Sequence, residues 1–288
     1  QLTISIRECI SIPEQEQKIF REGKTMKKKN RRSCHIVRIL ITAVLLCMLF
    51  GVNVVAASKT VTMKKESKTY YTYSQVSGFK GTVYHKFVLP SDSVVIVYGN
   101  ADQLYTFKNL NITLCNSRKK EIRRKDAVNS DCGDLIWYGL KKGTYYLKTS
   151  GNSSYILGVT FEKWVDKGGC SKSKAYNTAQ KKVVKGLMPA GEKSSKADWF
   201  KLKVKKKGKL CINIKNGSTG RIRFQIYGPS VKKGYTLTVM ESEDEGIYYV
   251  RNAKTKKVLK VKPGTYYIKV SRKDKNATGG YQFSWKIQ

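Results

Sequence analysis

One seven-residue phrase occurs twice in this chain. Gly143-Thr-Tyr-Tyr-Leu-Lys-Thr149 returns as Gly264-Thr-Tyr-Tyr-Ile-Lys-Val270, each time after a lysine-containing turn, Lys141-Lys142 and then Lys262-Pro263. Glycine supplies the free backbone of a tight turn, and the β-branched and aromatic run behind it suits a pleated, half-buried surface. Successive side chains of a strand point to opposite faces. Tyr145 and Leu147 therefore share one face, as do Tyr266, Ile268 and Val270, and these are expected to face a core. Tyr146 and Lys148, like Tyr267 and Lys269, are expected to face water.

The repeat reaches beyond the phrase. Tyr84–Leu89 aligns with Trp199–Val204, Leu110–Asn116 with Ile222–Gly228, and Tyr155–Phe161 with Tyr281–Ile287. A period of about 115–120 residues is a tandem domain, not a solenoid unit. Strand candidates in the first copy are Val83–Leu89, Ser93–Tyr98, Leu110–Cys115, Leu135–Tyr138, Thr144–Thr149 and Tyr155–Phe161. Those in the second are Trp199–Val204, Lys209–Ile214, Arg221–Tyr227, Tyr235–Met240, Ile247–Arg251, Lys257–Val261, Thr265–Val270 and Tyr281–Ile287. Phe200, Leu202 and Val204 alternate with Lys201, Lys203 and Lys205. Short strands broken by turn signals, with no helix-period stretch long enough to cover a parallel sheet, predict an all-β protein of two tandem antiparallel β-sandwiches. Their expected bounds are 69–165 and 175–288, joined by a flexible polar linker at 166–174. Asn177–Gly186 is the one stretch open to a short helix or an irregular lead-in strand.

Ahead of them stands an export segment. Met26 precedes the basic run Lys27–Arg32, an apolar stretch runs from Ile36 to Val55, and small residues close it at Ala56-Ala57. That is the anatomy of a signal peptide over 26–57, with residues 1–25 an upstream leader and 58–68 a basic lead. An uncleaved anchor is the competing reading, since a run near 18 residues can just span a bilayer. Either way the sandwiches are expected outside the cell, secreted or held at its surface.

The charge is extreme: 57 Lys+Arg against 20 Asp+Glu, a formal +37. From Ser58 onward the surplus is +31, of which residues 166–288 carry +22. Such a surface seeks polyanions: anionic wall polymers, acidic glycans, extracellular matrix or anionic lipid. Export and the lack of a recognised module argue against specific nucleic-acid binding. The candidate ligand-binding residues are Tyr146, Lys148, Lys201, Lys203, Lys205, Tyr267 and Lys269, outward lysines beside outward rings. For any single one of these, an exposed sheet kept soluble and guarded against edge pairing is the simpler explanation. The total charge exceeds what solubility requires.

Other chemistry finds less support. His85 is the only histidine after the export segment and lies mid-strand without an evident nucleophile or orienting carboxylate, so catalysis is not expected. Two acidic clusters, Asp126/Asn129/Asp131/Asp134 and Glu241/Glu243/Asp244/Glu245, could each lend oxygens to calcium, but neither has EF-hand spacing and a solvated hairpin tip explains both. No cofactor is expected. Cys115, Cys132, Cys170 and Cys211 permit three disulfide pairings or free thiols; Cys115–Cys132 and Cys170–Cys211 are the pairings that tie local loops, with Cys115 and Cys211 on the expected outward face.

One further pattern spans the second copy: Asn177-Thr-Ala-Gln, Leu187, Gly191, Ala197-Asp-Trp-Phe-Lys-Leu-Lys-Val204, Gly208, Leu210–Ile214, Pro263-Gly-Thr-Tyr-Tyr-Ile-Lys-Val270 and Tyr281. It resembles the bacterial pre-peptidase C-terminal domain, a family that includes relatives of the collagen-binding domains of clostridial collagenases. The first copy departs from it, with Tyr84-His85 where Asp-Trp is usual. The resemblance implies a jelly-roll-like β-sandwich that accompanies secreted enzymes and binds or presents substrate. It makes a secreted peptidase a second candidate partner. Some such relatives bind calcium through an acidic lead segment; Ser58–Lys68 and Ser171–Ala175 are basic here, so that site is not carried over.

Overall fold

Alternating apolar side chains need a second apolar sheet to cover them, and this chain supplies two pairs of such sheets. The computed structural model describes residues 57–75, 80–101, 110–129, 134–151, 154–240, 244–252 and 254–288, and every regular element among them is a β-strand. The leader and the export segment, apart from Ala57, lie outside the described residues. In the first half the strands are β1 (Ser58–Thr62), β2 (Lys64–Ser67), β3 (Tyr70–Gln75), β4 (Gly81–Leu89), β5 (Ser93–Ala101), β6 (Leu110–Cys115), β7 (Glu121–Val128), β8 (Ile136–Leu140), β9 (Gly143–Gly151) and β10 (Tyr155–Lys163). They form sheets in the orders β1-β4-β9-β6-β7 and β2-β3-β10-β5-β8.

The second half contains β11 (Tyr176–Thr178), β12 (Val184–Met188), β13 (Ala197–Val204), β14 (Gly208–Thr219), β15 (Ile222–Gly228), β16 (Val231–Val239), β17 (Asp244–Tyr249), β18 (Lys260–Val261), β19 (Gly264–Arg272) and β20 (Thr278–Ile287). Its sheets run β11-β13-β19-β15-β16 and β12-β20-β14-β17, with β18 added to β14. If the eight main strands of either half are numbered in sequence, both halves read 1-8-3-6 facing 2-7-4-5. This is the strand order of a jelly roll. The repeat is thus one of topology as well as sequence. It includes a parallel edge strand in each copy, β1 on β4 and β11 on β13.

Two separate cores fill the sandwiches. Phe87, Val95, Leu114, Leu147 and Val159 are among the buried residues of the first, and Phe200, Leu202, Ile212, Ile268 and Phe283 of the second. In the second, the Phe200 and Phe283 rings meet edge to face at 4.9 Å, a favoured aromatic geometry. The glycines that open the repeated phrase are required by their backbone: Gly143 and Gly264 have φ of +153° and +146°, where side chains are disfavoured.

Two segments differ from expectation, and a third takes one of the two forms expected of it. The basic lead at 58–68 is built into the first sandwich as β1 and β2, with Met63 buried between them. Asn177–Gly186 holds no helix; it overlaps β11 and β12 on either side of a turn. The polar segment 166–174 is not a free tether. Lys167 donates its backbone N–H to the Lys185 carbonyl (3.0 Å), and Gly169 exchanges two backbone hydrogen bonds with Trp199 (3.1 and 2.8 Å).

The sandwiches meet through β8 and the ends of β12, β14 and β20. Gly139 pairs with Pro189 in a parallel bridge, and the Ala190 N–H donates to the Gly139 carbonyl at 2.8 Å. The Gly139 N–H donates to Thr278 Oγ1 (3.1 Å), whose hydroxyl donates to the Met188 carbonyl (2.9 Å). Arg272 is almost fully buried and donates to the carbonyls of Pro189 and Ala277, each at 2.9 Å, which fixes the loop that Gly139 touches. A Cβ on Gly139 would stand 2.6 Å from the Met188 oxygen and 2.7 Å from that of Gly279. Gly139→Val is therefore expected to destabilise the protein by about 1–3 kcal/mol through overpacking and to expose 166–174 to limited proteolysis, while both sandwiches keep their strand content by circular dichroism.

Candidate functional site

The outward face of β13-β19-β15 collects what the sequence placed there and adds to it. The register sets Lys201 beside Tyr267, and Tyr267 beside Tyr227; it sets Trp199 beside Lys269, and Lys269 beside Gln225. Trp199 and Tyr227 project from the two strands flanking β19, and their rings stack across it at 6.0 Å with 26° between planes. The Lys172 ammonium lies 4.9 Å from the centre of the Tyr267 ring, and that of Lys269 lies 5.7 Å from Trp199. Both are within range of cation–π attraction. Lys203 is exposed on the same face of β13, and Lys205 is exposed just beyond its end. Among the described residues, Lys201, Lys203 and Lys205 have no ion-pair partner. The result is a half-buried aromatic platform, Trp199–Tyr227–Tyr267, edged by free ammonium groups.

The first sandwich carries a poorer version at the equivalent place. Tyr84 and Tyr146 meet edge to face at 6.3 Å. The Lys119 ammonium sits over both rings, 4.9 and 5.8 Å from their centres, and donates to Thr60 Oγ1 at 2.6 Å. Lys148 is paired with Glu121 at 2.9 Å. Tyr146 and Lys148 are thus outward, but the charge of Lys148 is neutralised and the rings are capped. The sequence missed Lys119, Lys172 and Tyr227 because they reach these faces from turns or from strands that are neighbours only once the sheet order is known.

His85 is structural. It lies on β4 where the second sandwich has Phe200, and it is fully buried. Its Nε2 is within hydrogen-bond reach of Thr149 Oγ1 (3.0 Å) and the Tyr155 hydroxyl (2.9 Å), while Nδ1 has no partner among the described residues. Burial holds its pKa down to about 3, so the ring stays neutral.

A cleft of about 450 Å³ lies where segment 166–174 and the loop 188–196 border β13 and β19, and it holds a carboxylate pair that the sequence did not single out. Burial, with the charge of nearby Asp166, pushes the Asp198 carboxyl up to about 7. Tyr281 donates its hydroxyl to Asp198 Oδ2 at 2.6 Å, and Gly168, packed against Asp198, donates its N–H to Asp166 Oδ1 at 3.0 Å.

The cysteines and acidic clusters have other duties. Cys115, Cys170 and Cys211 are free thiols, and Cys132 lies outside the described residues. The Cys170–Cys211 pairing is not formed. Cys170 follows Gly169, which is bridged to β13 in one sheet, and Cys211 is central in β14 of the other; packed sheets stand about 10 Å apart. Cys115 and Cys211 are buried, not available on the surface as expected. A register shift after Leu114 changes the seating of Cys115, and Tyr249 and Lys286 flank Cys211 in register. Asp126 is held by Arg123 (2.7 and 3.0 Å) and by the Tyr138 hydroxyl (2.7 Å), so it has little left for a cation. Asp131 and residues 241–243 lie outside the described residues. Among the described residues no group of three His, Cys, Asp or Glu could hold a metal, and no helix is long and apolar enough to cross a membrane.

No family model matches the chain, and no curated protein matches it. Solved structures with some likeness include tripeptidyl peptidase 2 (10% identity, TM-score 0.27), the CUB1-EGF-CUB2 domains of rat MASP-1 (6%, 0.23) and the CBM22-1-CBM22-2 tandem from Paenibacillus barcinonensis Xyn10C (7%, 0.20). They cover 79%, 79% and 76% of this chain, and 24%, 100% and 86% of their own. This chain thus spans about a quarter of the peptidase. At these scores the likenesses identify no family.

Two measurements follow from these environments. Asp198 binds its proton more tightly folded than unfolded, so its contribution is present below its ordinary value of 3.8 and lost as pH rises through about 7. Asp198→Asn keeps an acceptor for Tyr281 and should raise the melting temperature at pH 8 by about 3–6 °C, with little change at pH 4.5. His85 acts in the opposite sense, its contribution being lost as pH falls from 6.5 towards 3. In thiol labelling, native protein should modify Cys170 quickly, whereas Cys115, whose burial pushes its thiol up to about 11, should react only after unfolding.

Proposed function

We propose that this is an exported, non-catalytic binding protein that attaches to anionic cell-envelope or extracellular-matrix polymers through the outward β13-β19-β15 face. The observation that carries this reading is the Trp199–Tyr227–Tyr267 platform bordered by Lys201, Lys203 and Lys205, none of them ion-paired among the described residues. Ammonium groups supply long-range attraction to repeated negative charge, while flat rings give sugar or peptide faces something to pack on. Lysine is a flexible point charge, which suits a polymer of irregular charge spacing better than one fixed anion. The first sandwich, with Lys148 neutralised by Glu121, serves mainly as a rigidly attached companion.

A narrower assignment also has support. The Ala197–Val204 and Pro263–Val270 parts of the pre-peptidase-like pattern lie on paired strands, with Asp198 opposite Val270 and Lys203 opposite Thr265. That is consistent with a domain of that kind, and it keeps a partnership with a secreted peptidase as the second reading. No metal or cofactor enters either account.

Retention of the protein on purified cell wall, mucin, collagen and an acidic glycan, at low and high salt, tests the proposal. Wild type should bind several polyanions at about 50 mM salt and elute below about 0.5 M, as exposed charges are screened within a few ångströms there. Lys201→Glu with Lys203→Glu should lower retention about tenfold, and Tyr267→Ala should weaken whatever binding survives salt. Stoichiometric, salt-resistant capture of a single peptidase would favour the second reading.

A further inference from the structure

On another side of the junction a cleft of about 490 Å³ opens between the sheet of β10 and β5 and the sheet of β20 and β14. Its volume suits a small ligand. Its floor is bare backbone: Gly217 and Gly280 are register partners on β14 and β20. A Cβ on Gly217 would come within 3.3 Å of the Trp137 ring, and one on Gly280 within 2.9 Å of the Trp164 ring. The two indoles therefore lean on the glycine pair, and both remain only half-buried. Trp164 is fixed by donating its Nε1–H to the Gly186 carbonyl at 2.9 Å.

The rim is polar and unevenly committed. The Lys185 ammonium stands 4.0 Å over the Trp164 ring and pairs with Glu162 at 3.1 Å. Lys215, exposed on the rim, has no ion pair among the described residues, and Gln282 makes no side-chain hydrogen bond among them. Lys185 caps Trp164, so the flat ring of Trp137 is the one that calls for a ligand with a C–H face. Gln282 calls for hydroxyls or amides, and Lys215, exposed on the rim and opposite Glu245 of β17 in register, for one negative group. A pyranose bearing a carboxylate has all three.

We infer that this cleft binds an acidic saccharide of one or two rings, with Trp137 as the stacking surface and Lys215 as the counter-charge. The site uses neither the residues nor the sheet of the outer lysine face. It adds a defined subsite to diffuse attachment, and the two could be filled by one long polymer or by different ones. A uronic acid from a wall polymer and one from a matrix glycan present the same chemistry.

The test is titration of the full chain with a hyaluronan tetrasaccharide, a trigalacturonate and, as the uncharged control, cellotetraose, followed by tryptophan fluorescence and calorimetry. Saturable binding of at least one acidic oligosaccharide is expected, at least tenfold tighter than cellotetraose. Trp137→Phe should reduce the fluorescence change and weaken binding several-fold. Lys215→Glu should weaken it at least tenfold, with an unchanged melting temperature showing that the fold is intact. Lys201→Glu with Lys203→Glu, the larger change in net charge, should shift this affinity less than twofold while reducing polyanion retention. Absence of saturable binding would overturn the inference. So would equal affinity for cellotetraose, or a loss that follows Lys201 and Lys203 and spares Lys215. Because the outer face is read by retention and the cleft by titration, failure of one does not mimic failure of the other.

Discussion

The structure depends on the close approach of glycine backbone at the junction of two jelly rolls. Gly139 lets β8 of one sandwich lie directly on the backbone of Met188 and Gly279 in the other, while Gly217 and Gly280 make room for the Trp137 and Trp164 rings of the first. Carbonyls and N–H groups brought that near must pair, and the Thr278 hydroxyl, the Ala190 N–H and the Arg272 guanidinium satisfy them. Without this contact the two sandwiches would be beads on a linker, and the clefts along the junction would have one wall each. With it, segment 166–174 is bridged to β13 at Gly169 and then turns at Ser171–Lys174, which carries Lys172 over Tyr267. Junction and binding face are therefore linked through one short stretch of chain.

The two sandwiches share a topology and differ in what their equivalent positions hold. At equivalent positions the first holds His85 where the second holds Phe200, so one core has a polar knot of His85, Thr149 and Tyr155 and the other an aromatic clasp. At the surface the first spends Lys148 on Glu121 and covers its tyrosines with Lys119, while in the second Lys201, Lys203 and Lys205 have no ion pair among the described residues beside a stacked Trp and Tyr. The charge surplus follows the same division, +9 for residues 58–165 against +22 for residues 166–288.

Much of this was legible in the sequence where burial imposes a two-residue period. The strands around Phe87, Leu114, Leu147, Phe200, Phe224 and Ile268 announce themselves because one face must be apolar. Two of the strands that were missed, β2 and β7, lack that constraint, whereas β3 has it and hides it in a Tyr-rich run that buries Tyr71 and Gln75. Every residue of β2 is exposed, and β7 is an edge strand with register shifts against β6. The outward lysines and tyrosines could be named because outward is the complement of inward. The Trp199–Tyr227 stack could not, because it requires β15 and β13 to flank β19, an order fixed by long-range pairing. The cysteines were misjudged for a related reason: alternation tells which sheet face a side chain takes and not whether neighbours then cover it.

The central claim is that one sheet face, β13-β19-β15, meets an anionic polymer. Amide and indole chemical-shift mapping during titration with an acidic glycan tests it most directly. The account predicts the largest shifts at Trp199, Lys201, Tyr227 and Tyr267, fading at high salt, with a second cluster at Trp137 and Lys215 when the glycan carries uronic acids. Shifts confined to the Tyr84–Tyr146 face, or spread evenly over every exposed lysine, would contradict it.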